Sequence, residues 1–162
     1  MENKAVSNTG PIIHLTEISF IDALEIFSSI FTSKEVIDEL LKYKIGIPKK
    51  VKLKNLSHSS KDMVKLFTNK YNLDIGESSA IALALQEKIN YFITDDLDAR
   101  IVAKDYSLEV HGTIGIVLRA FRQKIIDKKT TINKINELYN QSSLFITKDL
   151  VNNVLKAVEE FR

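Results

Sequence analysis

The chain has 162 residues, a mass of 18.4 kDa and 23 basic against 21 acidic residues, for a net charge of +2. A composition of 44% apolar and 27% charged residues excludes collagen-like, mucin-like and disordered classes, and the absence of cysteine excludes a disulfide scaffold and thiolate zinc or iron–sulfur sites. No apolar run is long enough to span a membrane, and the first residues, MENKAVSNTGPII, lack the apolar stretch of a signal peptide, so a cytoplasmic protein without a membrane partner is expected.

The length suits one domain over residues 1–162, with a motif-bearing core over about 4–125 and a helical extension over about 126–162. Residues 4–7 predict a short strand, and Asn8-Thr9-Gly10-Pro11 opens a helix with a capping residue and an early proline. Phe20, Leu24, Phe27 and Ile30 follow at helical spacing. Thr32 and Glu35 predict a capping box ahead of a helix carrying Val36, Ile37, Leu40 and Leu41. Alternation after Pro48 reads as an edge strand. Ser59 or Ser60 caps the next helix, and Asp74 with Glu77 forms another capping pair. The helix behind it, SSAIALALQEK, is apolar on nearly every face and so belongs in the interior. YFIT at 91–94 reads as a central strand, 108–110 as another, and helices open at Gly112-Thr113 and near 131 and 148.

Strands separated by helical stretches define an α/β protein with a central parallel sheet covered by helices. In such sheets ligands bind beyond the carboxyl ends of the strands, which here means Asn8 and then Asp95, Asp96 and Asp98. Carboxylates packed so closely repel one another, and oxygen donors without cysteine or clustered histidine favour a hard cation such as Mg²⁺ or Mn²⁺. The simpler alternative is that one aspartate caps the following helix while the others face water. Glu77 likewise has an ordinary role as a cap. Asp38 and Glu39 flank the apolar stripe of their helix on opposite sides, and periodicity does not choose between them. His14, His58 and His111 show no metal-ligand spacing, and no nucleophile elbow, phosphate loop or dinucleotide fingerprint is present. A phosphoacceptor receiver-like domain needs an acid pair after the first strand, which Ser7-Asn8 does not supply.

Taken in order, VSNTGPIIHL, VIDELL, DIGESSAIALAL, FITDDLDARIVA and VHGTIGIVLRA resemble PIN-domain proteins, and among them the prokaryotic branch of VapC-type toxins. The resemblance runs from about residue 5 to 122. It implies a three-layer α/β/α PIN-like fold with acids at the strand ends holding Mg²⁺ or Mn²⁺, and a metal-dependent endoribonuclease acting on RNA. The family positions fall on Asn8, Glu39, Glu77 and Asp96, with Asp98 as companion. The resemblance makes the four acids catalytic and adds Asn8 as a further metal ligand. Asparagine at the first position departs from the usual aspartate, which leaves open a catalytically attenuated RNA-binding or interaction module. Thr94, Arg100 and Lys104 are the candidate substrate contacts, with Arg119, Arg122, Lys124, Lys128 and Lys129 as a later basic set. A toxin role implies a homodimer and a small antitoxin protein.

Overall fold

The computed structural model describes residues 3–162. Five strands, β1 (Lys4–Ser7), β2 (Ser29–Thr32), β3 (Val51–Leu53), β4 (Tyr91–Ile93) and β5 (Glu109–His111), form an all-parallel sheet in the order β3-β2-β1-β4-β5. Among the described residues eight α-helices accompany them: α1 (Thr9–Glu17), α2 (Lys34–Lys42), α3 (His58–Tyr71), α4 (Ile75–Glu87), α5 (Leu97–Asp105), α6 (Thr113–Arg122), α7 (Lys128–Gln141) and α8 (Lys148–Glu160). This is the three-layer α/β/α architecture expected. The strand order reverses between β1 and β4, so the switch-point crevice lies beyond Ser7 and Ile93.

The interior is built from Phe27, Phe67, Phe92, Leu15, Ile30 and Ile81, all essentially inaccessible. Helix α4 is buried along Ser78–Ala84, as its apolar faces require, and packs on α2, α3, α5, β1 and β4. Helix α7 packs on α1 and α6 and is in turn covered by α8, with Ile135 and Leu138 in the core.

Three local expectations shift. Phe20, Leu24, Phe27 and Ile30 are buried, but Leu24 belongs to a 3₁₀ segment (Ile21–Ile26) that Phe20 and Phe27 flank, and Ile30 to β2, rather than to an α-helix. Every residue of β2 is buried, the polar Ser29 and Thr32 included, so no apolar–polar alternation marks it as a strand. The cap of α2 is Ser33, whose Oγ accepts from Val36 N at 3.3 Å, while Thr32 closes β2 by donating to Ser7 O at 2.8 Å. Helix α3 begins earlier than expected, with Ser57 Oγ accepting from Ser60 N at 3.2 Å.

Five helix ends share one device. Ser19, Lys44, Lys88, Ser107 and Lys124 take left-handed φ values between 51° and 65°. Each is followed by an apolar residue whose N–H returns to a carbonyl five residues back, as Leu108 N does to Ala103 O at 3.0 Å. These are Schellman ends built without glycine.

Candidate active site

The site is assembled around the switch point. Asn8 follows β1 and is 6% exposed; its Nδ2 donates across the crevice to Thr94 Oγ1 at 3.2 Å. The same hydroxyl accepts from Asp96 N at 3.2 Å, so Thr94 ties the two strand ends together. Asp96 caps α5 by accepting from Ala99 N at 2.8 Å. The capping role and the strand-end position therefore coincide in one residue.

Glu77 reaches the crevice from the first turn of α4. It completes a capping box, with Glu77 N donating to Asp74 Oδ1 at 2.8 Å and Asp74 N to Glu77 Oε2 at 3.1 Å. Its carboxyl and Asp96 border the same cleft, where the Asp96 charge acts on it. Burial, reinforced by the neighbouring Asp74 carboxylate and, after the opposing backbone hydrogen bond from Asp74, by Asp96, pushes the Glu77 carboxyl up to about 7.

Packing separates the acids that periodicity left level. Glu39 turns inward from α2 and its Oε2 accepts from Thr9 Oγ1 at 2.8 Å. That oxygen lies so close to Gly76 that a Cβ there would stand 2.9 Å away, so the small residue opens room for the carboxylate at the start of α4. The N-terminal end of α4 favours nearby negative charge through its dipole. Asp38 points to solvent and accepts from Lys34 Nζ at 2.6 Å.

Asp95 has a different task. Its carboxylate accepts from Thr113 N at 2.7 Å, from Thr113 Oγ1 at 2.5 Å and from His14 Nδ1 at 2.6 Å. Gly112, the N-cap of α6, has no side chain to cap with, and Asp95 supplies the missing acceptor. A Cβ on Gly112 would come within 2.7 Å of Asp95 Oδ1.

These groups line a cleft of about 980 Å³. Asn8, Glu39, Glu77, Asp96 and the exposed Asp98 all border it. Arg100 and Lys104 do not: the Arg100 guanidinium lies against Gly112, and Lys104 sits in the last turn of α5. Of the later basic set, Arg119 lies over the Tyr91 and Phe27 rings, 4.8 and 5.5 Å from their centroids, and donates to Asn3 Oδ1. Sequence reasoning missed Thr9, His14 and Glu17, which border the cleft from one face of α1. The spacing of Thr9, Ile13 and Glu17, with Gly10 and His14 beside them, marks that face in hindsight. It also missed the segment between α7 and α8, where Ser143, Leu144 and Phe145 complete the rim.

Among the described residues no three acids or histidines form a finished cation cage. The donor chemistry nevertheless fits a hard divalent cation. Every candidate ligand is an oxygen, and the Glu77–Asp96 pair crowds two carboxyl groups that a cation would relieve. The hydrogen bonds that Asp96, Glu77 and Glu39 accept leave each carboxylate further lone pairs.

A parallel sheet with an acid-lined cleft at its switch point defines a class of α/β protein whose chemistry depends on carboxylates. The PIN-domain family matches residues 4–160, and the chain belongs to it. A PIN domain has a nuclease fold, and members of the family typically use divalent metals. None of the curated proteins matches the chain.

Proposed function

We propose that the chain is a Mg²⁺- or Mn²⁺-dependent endoribonuclease that hydrolyses RNA phosphodiester bonds, acting as the toxin of a toxin–antitoxin pair. The observation that supports this reading most is that Asn8, Glu39, Glu77, Asp96 and Asp98 border one cleft at the switch point of a PIN-family sheet. Glu77, Asp96 and Glu39 would hold the cation, with the Asn8 carbonyl as a neutral donor and Asp98 at the cleft wall. When bound, such an ion polarises a phosphate and lowers the pKa of an associated water. Thr94 fixes the separation of Asn8 and Asp96 through its two hydrogen bonds, and Thr9 orients the Glu39 carboxylate. Dimerisation and neutralisation by a small antitoxin belong to the same reading.

The test is cleavage of single-stranded RNA with Mn²⁺. Glu77→Gln and Asp96→Asn keep the oxygen that accepts the capping bond, so both are expected to fold and to lower kcat by about 100-fold or more; EDTA abolishes cleavage of the wild type. Full activity in Asp96→Asn would contradict the assignment.

A second reading, the attenuated RNA-binding or interaction module, draws on Asn8. Its amide N–H is used to hold Thr94, a role that an ionised aspartate could not fill as a donor. Asn8→Asp separates the two readings. A large gain in cleavage would mark the native site as attenuated. No cleavage in either form, with RNA still bound, would mark a module.

A further inference from the structure

Among the described large apolar side chains, Phe145 is the most exposed, at 91%. It stands on a segment that is otherwise tied down. Ser143 N donates to both Glu17 carboxylate oxygens at 3.1 Å, and Ser143 Oγ donates to Glu17 Oε1 at 2.7 Å. Leu144 and Ile146, on either side, pack against the core. Thr147 then caps α8 by accepting from Leu150 N. The chain is thus fixed before and after Phe145, and alternation along the extended segment turns its ring outward at the mouth of the acid cleft. Tyr43 and Leu97, exposed by 60% and 73%, border the same cleft.

The lining is unusual for a surface that must hold a polyanion. It contains Glu17, Glu39, Asp74, Glu77 and Asp98 but, among the described residues, no lysine or arginine. Phosphate contacts from basic side chains, the common source of affinity for RNA, are missing from the cleft itself. An exposed ring on a rigid rim supplies a different kind of affinity. Every nucleobase has a π face, and stacking on an aromatic side chain needs no charge.

We propose that Phe145 is a positioning residue that stacks on an unpaired nucleobase and so sets a single-stranded RNA across the Glu77–Asp96 pair. The inference rests on the ribonuclease reading and deepens it by naming the contact as a base rather than a phosphate.

The test uses a short single-stranded oligoribonucleotide carrying 2-aminopurine, with cleavage followed in Mn²⁺ and fluorescence followed on rapid mixing before cleavage. Wild type should quench the probe. Phe145→Leu, apolar but unable to stack, should lose the quench and raise KM about tenfold with kcat little changed, and Phe145→Trp should restore both. The thermal midpoint should be the same in all three, since the ring packs on nothing. Retained quench and unchanged KM in Phe145→Leu would overturn the inference, as would leucine serving as well as tryptophan. If those results came with weakened self-association or weakened binding of a protein, Phe145 would be a protein contact. Cleavage abolished by Asp96→Asn but indifferent to Phe145→Leu would leave the ribonuclease reading standing and remove this one. A wild type that neither binds nor cleaves RNA would remove both.

Discussion

Glu77 carries two loads that pull in opposite directions. As the closing member of a capping box it stabilises the start of α4, and as a half-buried carboxyl facing Asp74 and Asp96 it is held away from its ionised form. Its pKa rises from 4.5 to about 7 on folding, so the folded state binds the proton more tightly than the unfolded chain does. The stability this confers is present below about pH 4.5, declines as pH rises towards 7 and is gone above it. Solvent screening of a half-exposed group limits the effect to about 1 kcal/mol. Glu77→Gln, which keeps an oxygen for Asp74 N, should therefore be more stable than wild type at pH 8 in EDTA and lose that advantage near pH 5. Urea unfolding at the two pH values checks this, and a variant less stable than wild type at pH 8 would contradict it. Asp95 shows the complementary case. It sits beside Asp96 in sequence, yet its three hydrogen bonds make it the cap of α6 and the partner of His14. Both adjacent aspartates border the cleft and both cap a helix, Asp96 its own α5 and Asp95 the distant α6.

The helices were legible where side chains announce their starts and obscure where they end. Asp74 with Glu77, Asp96 ahead of α5 and the Gly112-Thr113 start all follow from local chemistry that side chains encode. The ends carry no glycine signal, because polar residues adopt the left-handed conformation at five Schellman motifs. Ser107 is the cleanest example: φ is 65°, it is exposed, its N–H donates to Lys104 O at 2.9 Å, and Leu108 behind it is buried. A non-glycine residue there bears a steric cost that glycine escapes, partly offset by the extra freedom glycine has when unfolded. Ser107→Gly should raise stability by about 0.5 kcal/mol, or roughly 1–2 °C in Tm for a chain of this size. Differential scanning calorimetry measures it, and a fall in Tm would contradict the account. The β2 region was misread for another reason. Phe20, Leu24, Phe27 and Ile30 imitate a helical spacing across the 3₁₀ segment and β2, and only the pairing of β2 with β1 and β3 reveals the strand.

At the scale of the molecule, a net charge of +2 conceals an uneven distribution. Glu39, Glu77, Asp96 and Asp98 border one cleft, while Arg119 and Arg122 line a pocket with Lys4, Tyr91 and Glu109, the first residues of β1, β4 and β5. The strand-end rule pointed to Asp95, Asp96 and Asp98 together, whereas the choice of Asp96 among them, of Glu77 as more than a cap and of Glu39 over Asp38 came from the family resemblance. The contacts His14–Asp95 and Glu17–Ser143 span 81 and 126 residues, and no local pattern encodes pairings of that length. What the fold achieves is the convergence of α2, α4 and the β4–α5 turn on the reversal of strand order, the point at which an open parallel sheet leaves a crevice. Calorimetric titration of the protein with Mn²⁺ addresses that convergence most directly. If Glu77 and Asp96 share one ion, Glu77→Gln and Asp96→Asn should each weaken binding by about tenfold or more, and the double variant should lose far less than the sum of the two. Unchanged Mn²⁺ affinity in Asp96→Asn, or losses that simply add, would show that the two carboxylates do not serve a common cation.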